Sequence, residues 1–309
     1  MPKYLFLIEP FLYDSNGVSV CYRNLIRAMI RDSSHSIMII SPDGYRDDFG
    51  ENGELESLRI QSFGLPLIFF TYPSLKFIML SYPIVRKVLH FQPDFIHCVQ
   101  PGFCSFWALL LKQACRLFGT KNPLITGAVH TDTERMISCY NLQLVRYPFL
   151  CYLKIERSIC DGLLTVDHRK DPNKFVLWKL GVDDTLFYPK QQYEMNSLHG
   201  TVIVVARLAP EKNFNLVIEL AQILPEVTFQ VFGDGPLRKT LQRKAPHNFL
   251  LQGSVSQKKL AQAYRASDVS LVPGTGECHP LSLLESLACG TPVVVANEGG
   301  TEALIPPFP

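Results

Sequence analysis

Residues 277–300 read Glu277-Cys278-His279-Pro280-Leu281-Ser282-Leu283-Leu284-Glu285-Ser286-Leu287-Ala288-Cys289-Gly290-Thr291-Pro292-Val293-Val294-Val295-Ala296-Asn297-Glu298-Gly299-Gly300. Two carboxylates flank seven residues, and a helix begins between them. Pro280 suits the first helical position, because its missing N–H would have no partner there. Leu281, Leu284 and Ala288 recur at helical spacing, and Gly290 suits the residue that ends the helix. Residues 291–295 then read as a buried strand. Glu277 falls at the positive end of a helix dipole, where backbone N–H groups favour an anion. Glu285 falls about 7 Å further along, at roughly 1.5 Å per residue. An anion at the helix start is thereby flanked by two hydrogen-bond acceptors. That pattern suits a sugar nucleotide, with its diphosphate at the dipole and its hydroxyls on the carboxylates.

Upstream, strands are predicted at 201–206, 227–232, 249–252 and 269–272, with helices between them. Together with 291–295 they make five strands and four helices, a doubly wound parallel sheet. Two loops at the carboxyl ends of these strands carry marked residues. Arg207-Leu208-Ala209-Pro210-Glu211-Lys212-Asn213 sets two cations beside a helix start, where a diphosphate is gripped by guanidinium, ammonium and dipole together. Gly233-Asp234-Gly235-Pro236 follows the next strand.

The first half alternates in the same way. A strand at 4–8 leads through a loop containing Asn16-Gly17 to a helix at 19–30, with Leu25, Ala28 and Met29 on its inner face. Strands at 36–40, 58–62, 94–97, 124–129 and 162–166 follow, with helices at 103–118 and 145–159. The strand at 124–129 ends in His130-Thr131-Asp132, at the edge where α/β folds place ligands. His130 can exchange a proton or hydrogen-bond a sugar hydroxyl, while Asp132 reads better as a helix cap. The polar run 190–197 marks the boundary, giving domains at 1–190 and 191–309.

Composition narrows the class. At 309 residues the chain is long enough for two cores, and 47% hydrophobic with 19% charged residues is ordinary for a globular protein. A net charge of +2 gives no electrostatic case for binding nucleic acid. The nine cysteines are scattered and odd in number, which favours reduced thiols and a cytoplasmic setting. The apolar run 63–83 is broken by Pro66 and Pro73 and reads as an apolar loop followed by a helix at 74–89. The stretch from Leu65 to Phe70 is a candidate contact with the inner membrane face or a lipid acceptor.

Arg207-Leu-x-x-Glu211-Lys212-Asn213, Gly233-x-Gly235-Pro236 and Glu277-x7-Glu285 with Ala288-Cys-Gly290-Thr-Pro292-Val-Val resemble family 4 retaining glycosyltransferases of the GT-B fold. Asn16-Gly17-Val18, His130-Thr131-Asp132 and Trp178-x-x-Gly181-Val182-Asp183-x-x-x-Phe187 look most like members that glycosylate lipids: the mannosyl-, glucosyl- and sulfoquinovosyl-transferases. The resemblance implies two Rossmann-like parallel-sheet domains facing a cleft, and a hexosyltransferase using a UDP- or GDP-linked sugar and a lipid or glycan acceptor. It implies that Arg207 and Lys212 stabilise the leaving diphosphate and that Glu277 and His130 contact the transferred sugar. Glu285 would hold the ribose, Gly17 would admit the first-domain loop to the diphosphate, and Gly233, Pro280 and Leu281 would complete the donor site. It implies no cofactor and no metal.

Two departures stand out. Residues 167–174 are too few for the serine-containing turn and helix usual between Val166 and Gly181. The family pattern also continues past Gly300, so the second domain is expected to be truncated. The alternatives are a catalytically inactive nucleotide-sugar-binding relative and, disfavoured by the Glu-x7-Glu pattern, a nucleotide-sugar epimerase.

Overall fold

The computed structural model describes residues 1–9, 17–32, 34–42, 57–66, 76–100, 102–130, 146–167, 169–189, 200–274 and 277–296. They fall into two compact units, the first ending at Lys179 and the second taking in Leu180 onward together with Gly17.

The first unit is built on an eight-stranded sheet in the order β4-β3-β2-β1-β5-β6-β7-β8. Its strands are β1 (Lys3–Leu7), β2 (Ser36–Pro42), β3 (Arg59–Pro66), β4 (Lys76–Met79), β5 (Phe95–Gln100), β6 (Leu124–Val129), β7 (Gly162–Thr165) and β8 (Val176–Leu177). Helices α1 (Gly17–Arg31), α2 (Tyr82–Phe91), α3 (Cys104–Leu117) and α4 (Arg146–Ser158) accompany them. The apolar run of β1 explains its central place. Leu5 and Leu7 enter one core with Ile84 and Val88 of α2 and Ala108 and Leu111 of α3. Phe6 and Ile8 point the other way, into a core with Tyr22 and Ile26 of α1. A strand covered on both faces has no polar side, so it reads as continuous hydrophobics. β1 pairs in parallel with β2 and β5, the point of strand-order reversal that opens a ligand edge in α/β sheets.

The second unit repeats the plan in the order β11-β10-β9-β12-β13, every pairing parallel. Its strands are β9 (Thr201–Val205), β10 (Thr228–Phe232), β11 (Phe249–Gly253), β12 (Val269–Val272) and β13 (Val293–Val295). Helices α5 (Phe214–Ile223), α6 (Arg238–Lys244), α7 (Gln257–Ala266) and α8 (Leu281–Ala288) connect them. β9 is central: Val204 packs with Phe214 and Val217 of α5, and Ile203 faces the core holding Tyr264 of α7.

The expected five strands and four helices of this unit are all present, and four finer expectations, two in each unit, need correction. The helix expected at 74–89 is two elements: β4, antiparallel to β3, and α2, which starts at Tyr82 with Pro83 in its first turn. Pairing with the free side of β3 overrides helix propensity over Lys76–Met79, and proline then sets the helix start. The inner face of α1 is Tyr22 and Ile26, whereas Ala28 is exposed and Leu25 and Met29 are half-buried. Pro280 is the residue before α8, extended at φ −69° and ψ 121°, not its first helical residue. β13 is the last described strand of its sheet and leaves Val294 56% exposed, so among the described residues it is not the buried strand expected.

Leu186 and Phe187 pack into the second unit's core, so the segment leading to 189 belongs with that unit. The polar stretch 190–199, where the boundary was expected, lies outside the described residues. Among the described residues, no helix is long and apolar enough to cross a membrane. Residues 67–70 of the candidate membrane loop also lie outside them.

Candidate functional site

In the second unit the marked residues come from the carboxyl ends of β9, β10 and β12. After β9 the chain turns through Arg207, buries Leu208 and Ala209 completely, and makes one turn of 3-10 helix over Pro210–Lys212. Asn213 closes that turn in the left-handed region at φ 48°, a conformation asparagine tolerates better than most residues. The two buried apolar side chains peg the loop down, so its cations are held rather than free to wander.

Arg207 pairs with Glu211, four residues on. Burial would raise the Glu211 carboxyl, but the guanidinium outweighs it and holds that carboxyl below its ordinary value. Lys212 Nζ lies 2.5 Å from Glu277 Oε1, joining the β9 loop to the entry of α8. Gly274 makes room for this pair: a Cβ there would stand 2.7 Å from Glu277 Oε1 and 3.4 Å from Lys212 Cδ.

The two glycines after β10 have a packing reason. Gly233 has φ +131°, and an added Cβ would sit 2.1 Å from the Ala206 carbonyl oxygen; at Gly235 it would sit 2.5 Å from that of Leu208. Leu208 N–H donates to Asp234 O at 3.0 Å, and Leu237 N–H donates to Leu208 O at 2.9 Å. The glycines thus let the β10 loop lie directly against the loop that carries Arg207.

Glu285 faces inward from α8 and is only 5% exposed. Tyr264 of α7, itself fully buried, donates its hydroxyl to Glu285 Oε2 at 3.3 Å. Burial pushes the Glu285 carboxyl up to about 7, against the lowering effect of the Tyr264 hydrogen bond. The motif beyond α8 locks the helix in place. Gly290 takes φ +74°, the Thr291 hydroxyl donates to the Tyr264 carbonyl at 2.7 Å, and Ser286 donates to the Thr291 carbonyl at 3.0 Å.

In the first unit His130 follows the last residue of β6. Its Nε2 lies 3.2 Å from the Tyr22 hydroxyl, and its ring packs edge-on against Trp178 at 5.3 Å between centroids. Burial lowers the His130 imidazole to about 4, so it is neutral at physiological pH. Gly17 is the exposed first residue of α1. Asn16, Thr131 and Asp132 lie outside the described residues, as do Thr275 and Gly276 before Glu277.

Arg207, Lys212, Glu277, Gly233, Pro280 and Leu281 therefore belong to loops or a helix start that follow strands of the second sheet, while Glu285 lies within α8 and faces Tyr264. Gly17 is grouped with the second unit, where a Cβ on it would lie 3.7 Å from Leu281 Cδ1, and His130 is grouped with the first. Sequence reasoning missed Glu211, Tyr264, Tyr22 and His97. Glu211 carried a signal, since an acid four residues after an arginine can pair with it; the other three are single aromatic side chains on otherwise ordinary elements. Among the described residues, no group of three or more His, Cys, Asp or Glu is placed to hold a metal.

Residues 190–307 match the family described as glycosyl transferases group 1. Over 96% of the chain there is 27% identity with sulfoquinovosyl transferase SQD2 of Arabidopsis thaliana, and the chain spans 60% of that protein's length. A GDP-mannose-dependent alpha-mannosyltransferase of Mycolicibacterium smegmatis is 26% identical over 97% of the chain, which spans 80% of it. Among solved structures, Anabaena HepE in complex with UDP and glucose superposes with a TM-score of 0.70 at 17% identity, over 99% of this chain and 83% of that one. A sucrose-phosphate synthase from Thermosynechococcus elongatus gives 0.68 at 16% identity, over 99% and 84%. The fold is GT-B: α/β, with two Rossmann-like parallel sheets.

Proposed function

We propose that this chain is a glycosyltransferase that moves a hexose from a nucleotide-sugar donor to a lipid or glycan acceptor, with retention at the anomeric carbon. The observation that carries the reading is the meeting of Lys212 with Glu277, beside the Arg207–Glu211 pair, within the segment that matches the group 1 family. A cation beside a carboxylate at a helix entry can bind both halves of such a donor, phosphate on the ammonium and sugar hydroxyl on the carboxylate.

In this reading Arg207 and Lys212 offset the charge that develops on the departing diphosphate. Preorganised cations of this kind act most strongly where water is excluded. Glu277 and His130 hold sugar hydroxyls, and Glu285 accepts from the ribose hydroxyls. The bond from the anomeric carbon to phosphate oxygen breaks, and a bond from that carbon to the acceptor oxygen forms on the same face. The acceptor proton passes to the departing phosphate, so no separate protein base is assigned. Two cations and a helix dipole supply the charge that a divalent ion would otherwise bring, and we assign no metal to the step.

The lipid side of the proposal is supported by exposed apolar residues of the first unit. Phe63, Tyr82, Leu110, Tyr147 and Ile155 are each more than half exposed. We infer that this unit meets a membrane surface or a lipid acceptor, with the stretch from Leu65 to Phe70 contributing.

The test is a panel of UDP-, GDP- and ADP-sugars scored by thermal stabilisation and calorimetry, followed by transfer to lipid acceptors in vesicles. Stabilisation by one nucleotide class with turnover supports the reading. A folded protein that binds none of them overturns it, and binding without hydrolysis or transfer reduces it to a nucleotide-sugar-binding protein.

A further inference from the structure

Tyr22 of α1 is completely buried, and its hydroxyl has two imidazoles as neighbours. His97 Nε2 lies 2.7 Å from it on one side and His130 Nε2 lies 3.2 Å from it on the other. The line continues inward, where His97 Nδ1 lies 2.8 Å from the Thr126 hydroxyl oxygen. His97 sits mid-strand in β5, in register with Phe6 of β1 and Thr126 of β6, and is 7% exposed. The Tyr22 ring packs against Phe6, His97, His130 and Trp178 at centroid distances of 6.3, 5.5, 5.4 and 5.4 Å. Among the described residues, these rings surround the Tyr22 hydroxyl and leave the two imidazoles as its polar neighbours.

A phenol has a single proton, so it can donate to only one of the two imidazoles and must accept from the other. We assign the donation to the shorter contact. O–H···N bonds are shorter than N–H···O bonds, and the His97 contact is the shorter by 0.5 Å. Tyr22 therefore donates to His97 Nε2, and His97 carries its proton on Nδ1 and donates it to Thr126. His130 must then carry its proton on Nε2 and donate to Tyr22, which leaves its Nδ1 as a bare acceptor. Burial holds both rings neutral, His97 near 3 and His130 near 4, so neither escapes the choice by becoming doubly protonated.

We propose that Thr126, His97 and Tyr22 form a buried hydrogen-bond relay that fixes His130 in its Nε2–H tautomer and presents Nδ1 as an acceptor for a donor-sugar hydroxyl. Tyr22, His97 and Thr126 are positioning residues: they act through His130. The presentation to a sugar rests on the proposed transferase reading; the relay itself does not. The chemistry selects a hydroxyl that can give a proton, so an O-methyl or deoxy sugar at that position loses its partner.

Long-range nitrogen–proton NMR on selectively labelled histidine reads the tautomers directly, without a donor. The expected spectrum has His130 as Nε2–H and His97 as Nδ1–H. Tyr22→Phe removes the acceptor and should leave His130 a mixture of tautomers. His97→Leu frees the phenol to donate outward and should convert His130 to Nδ1–H. Both variants should lower kcat/KM for the donor about tenfold, the scale of one buried hydrogen bond. A wild-type His130 protonated on Nδ1 overturns the relay, as does a tautomer unmoved in His97→Leu. The wild-type spectrum decides even where a variant fails to fold. If the tautomers behave as stated but His130→Ala leaves donor turnover intact, the relay stands and the sugar-contact role falls.

Discussion

A lysine already facing a carboxylate can serve an incoming diphosphate only by exchanging partners. Lys212 and Glu277 are both partly solvated, their side chains 21% and 16% exposed, so the pair contributes about 0–1 kcal/mol to folding. Its value to a reaction that expels a diphosphate is larger, because loss of a preorganised charge typically costs roughly 100- to 1,000-fold in rate. Lys212→Ala should therefore cut transfer by ~100-fold or more, with a melting temperature close to that of the parent. Equal loss of fold and rate would make the lysine structural. Glu285 gives a pH prediction. Burial pushes its carboxyl up to about 7, and in the proposed ribose-holding role the ionised form is the stronger acceptor, because the protonated acid keeps only part of its acceptor capacity. Donor affinity should rise as pH increases through 7 and then level off. Tyr264→Phe removes the hydrogen bond that lowers this group, so calorimetry across pH should find the midpoint displaced upward. The two carboxylates were legible from spacing around a helix start. Tyr264 was not, because one tyrosine on an amphipathic helix looks like core, and it is core; only the structure shows that its hydroxyl reaches the acid.

Elements were legible where a strand held an unbroken apolar run, as at Tyr4–Leu7 of β1 and Val202–Val205 of β9, since both faces of a parallel sheet are covered. β4 was not legible, for four residues inside an apolar segment carry no period and their pairing is set by β3. The loops of the second unit show a different kind of legibility. Gly233-x-Gly235 was read as a ligand feature, and its geometry supplies a packing cause that spacing could not reveal. Gly233→Ala would push a methyl group into the Ala206 carbonyl at 2.1 Å while holding a backbone angle of +131°. The expected cost is ~2–4 kcal/mol, because both strain and a forced loop shift contribute. The Arg207 loop moves with it. Chemical denaturation should register the loss of stability, and donor affinity should fall in the same variant. Stability equal to the parent would mean that the two loops do not bear on each other as described.

At the scale of the whole molecule, the two units repeat one sheet plan and both carry acids in their interiors, the second Glu285 and the first Glu9 and Glu156. Glu9, just after β1, is 8% exposed and accepts the Ile78 N–H at 2.8 Å; Glu156 of α4 is fully buried and accepts the Gly102 N–H at 3.1 Å. Burial raises each carboxyl to about 8. Their mutual repulsion adds to the rise at Glu9, and hydrogen bonds only partly oppose it. Gly102 closes the space, since a Cβ there would lie 2.5 Å from Glu9 Oε2. Neither acid was singled out in the sequence, because a glutamate at the end of a strand and another in a charged helix both look solvated. The sign follows from proton counting. The folded state binds protons that the unfolded chain, with carboxyls near 4.5, releases, so the stabilisation is complete below pH 4.5 and declines as pH rises towards 8. Unfolding free energy measured by denaturant titration should therefore fall steadily from pH 6 to pH 9. Glu9→Gln copies the protonated acid, keeps an acceptor for Ile78 and removes one of the two titrations, leaving that of Glu156. It should roughly halve that slope and leave the protein more stable than the parent at pH 9. A variant whose slope matched the parent's would show that the buried acids do not set this pH dependence.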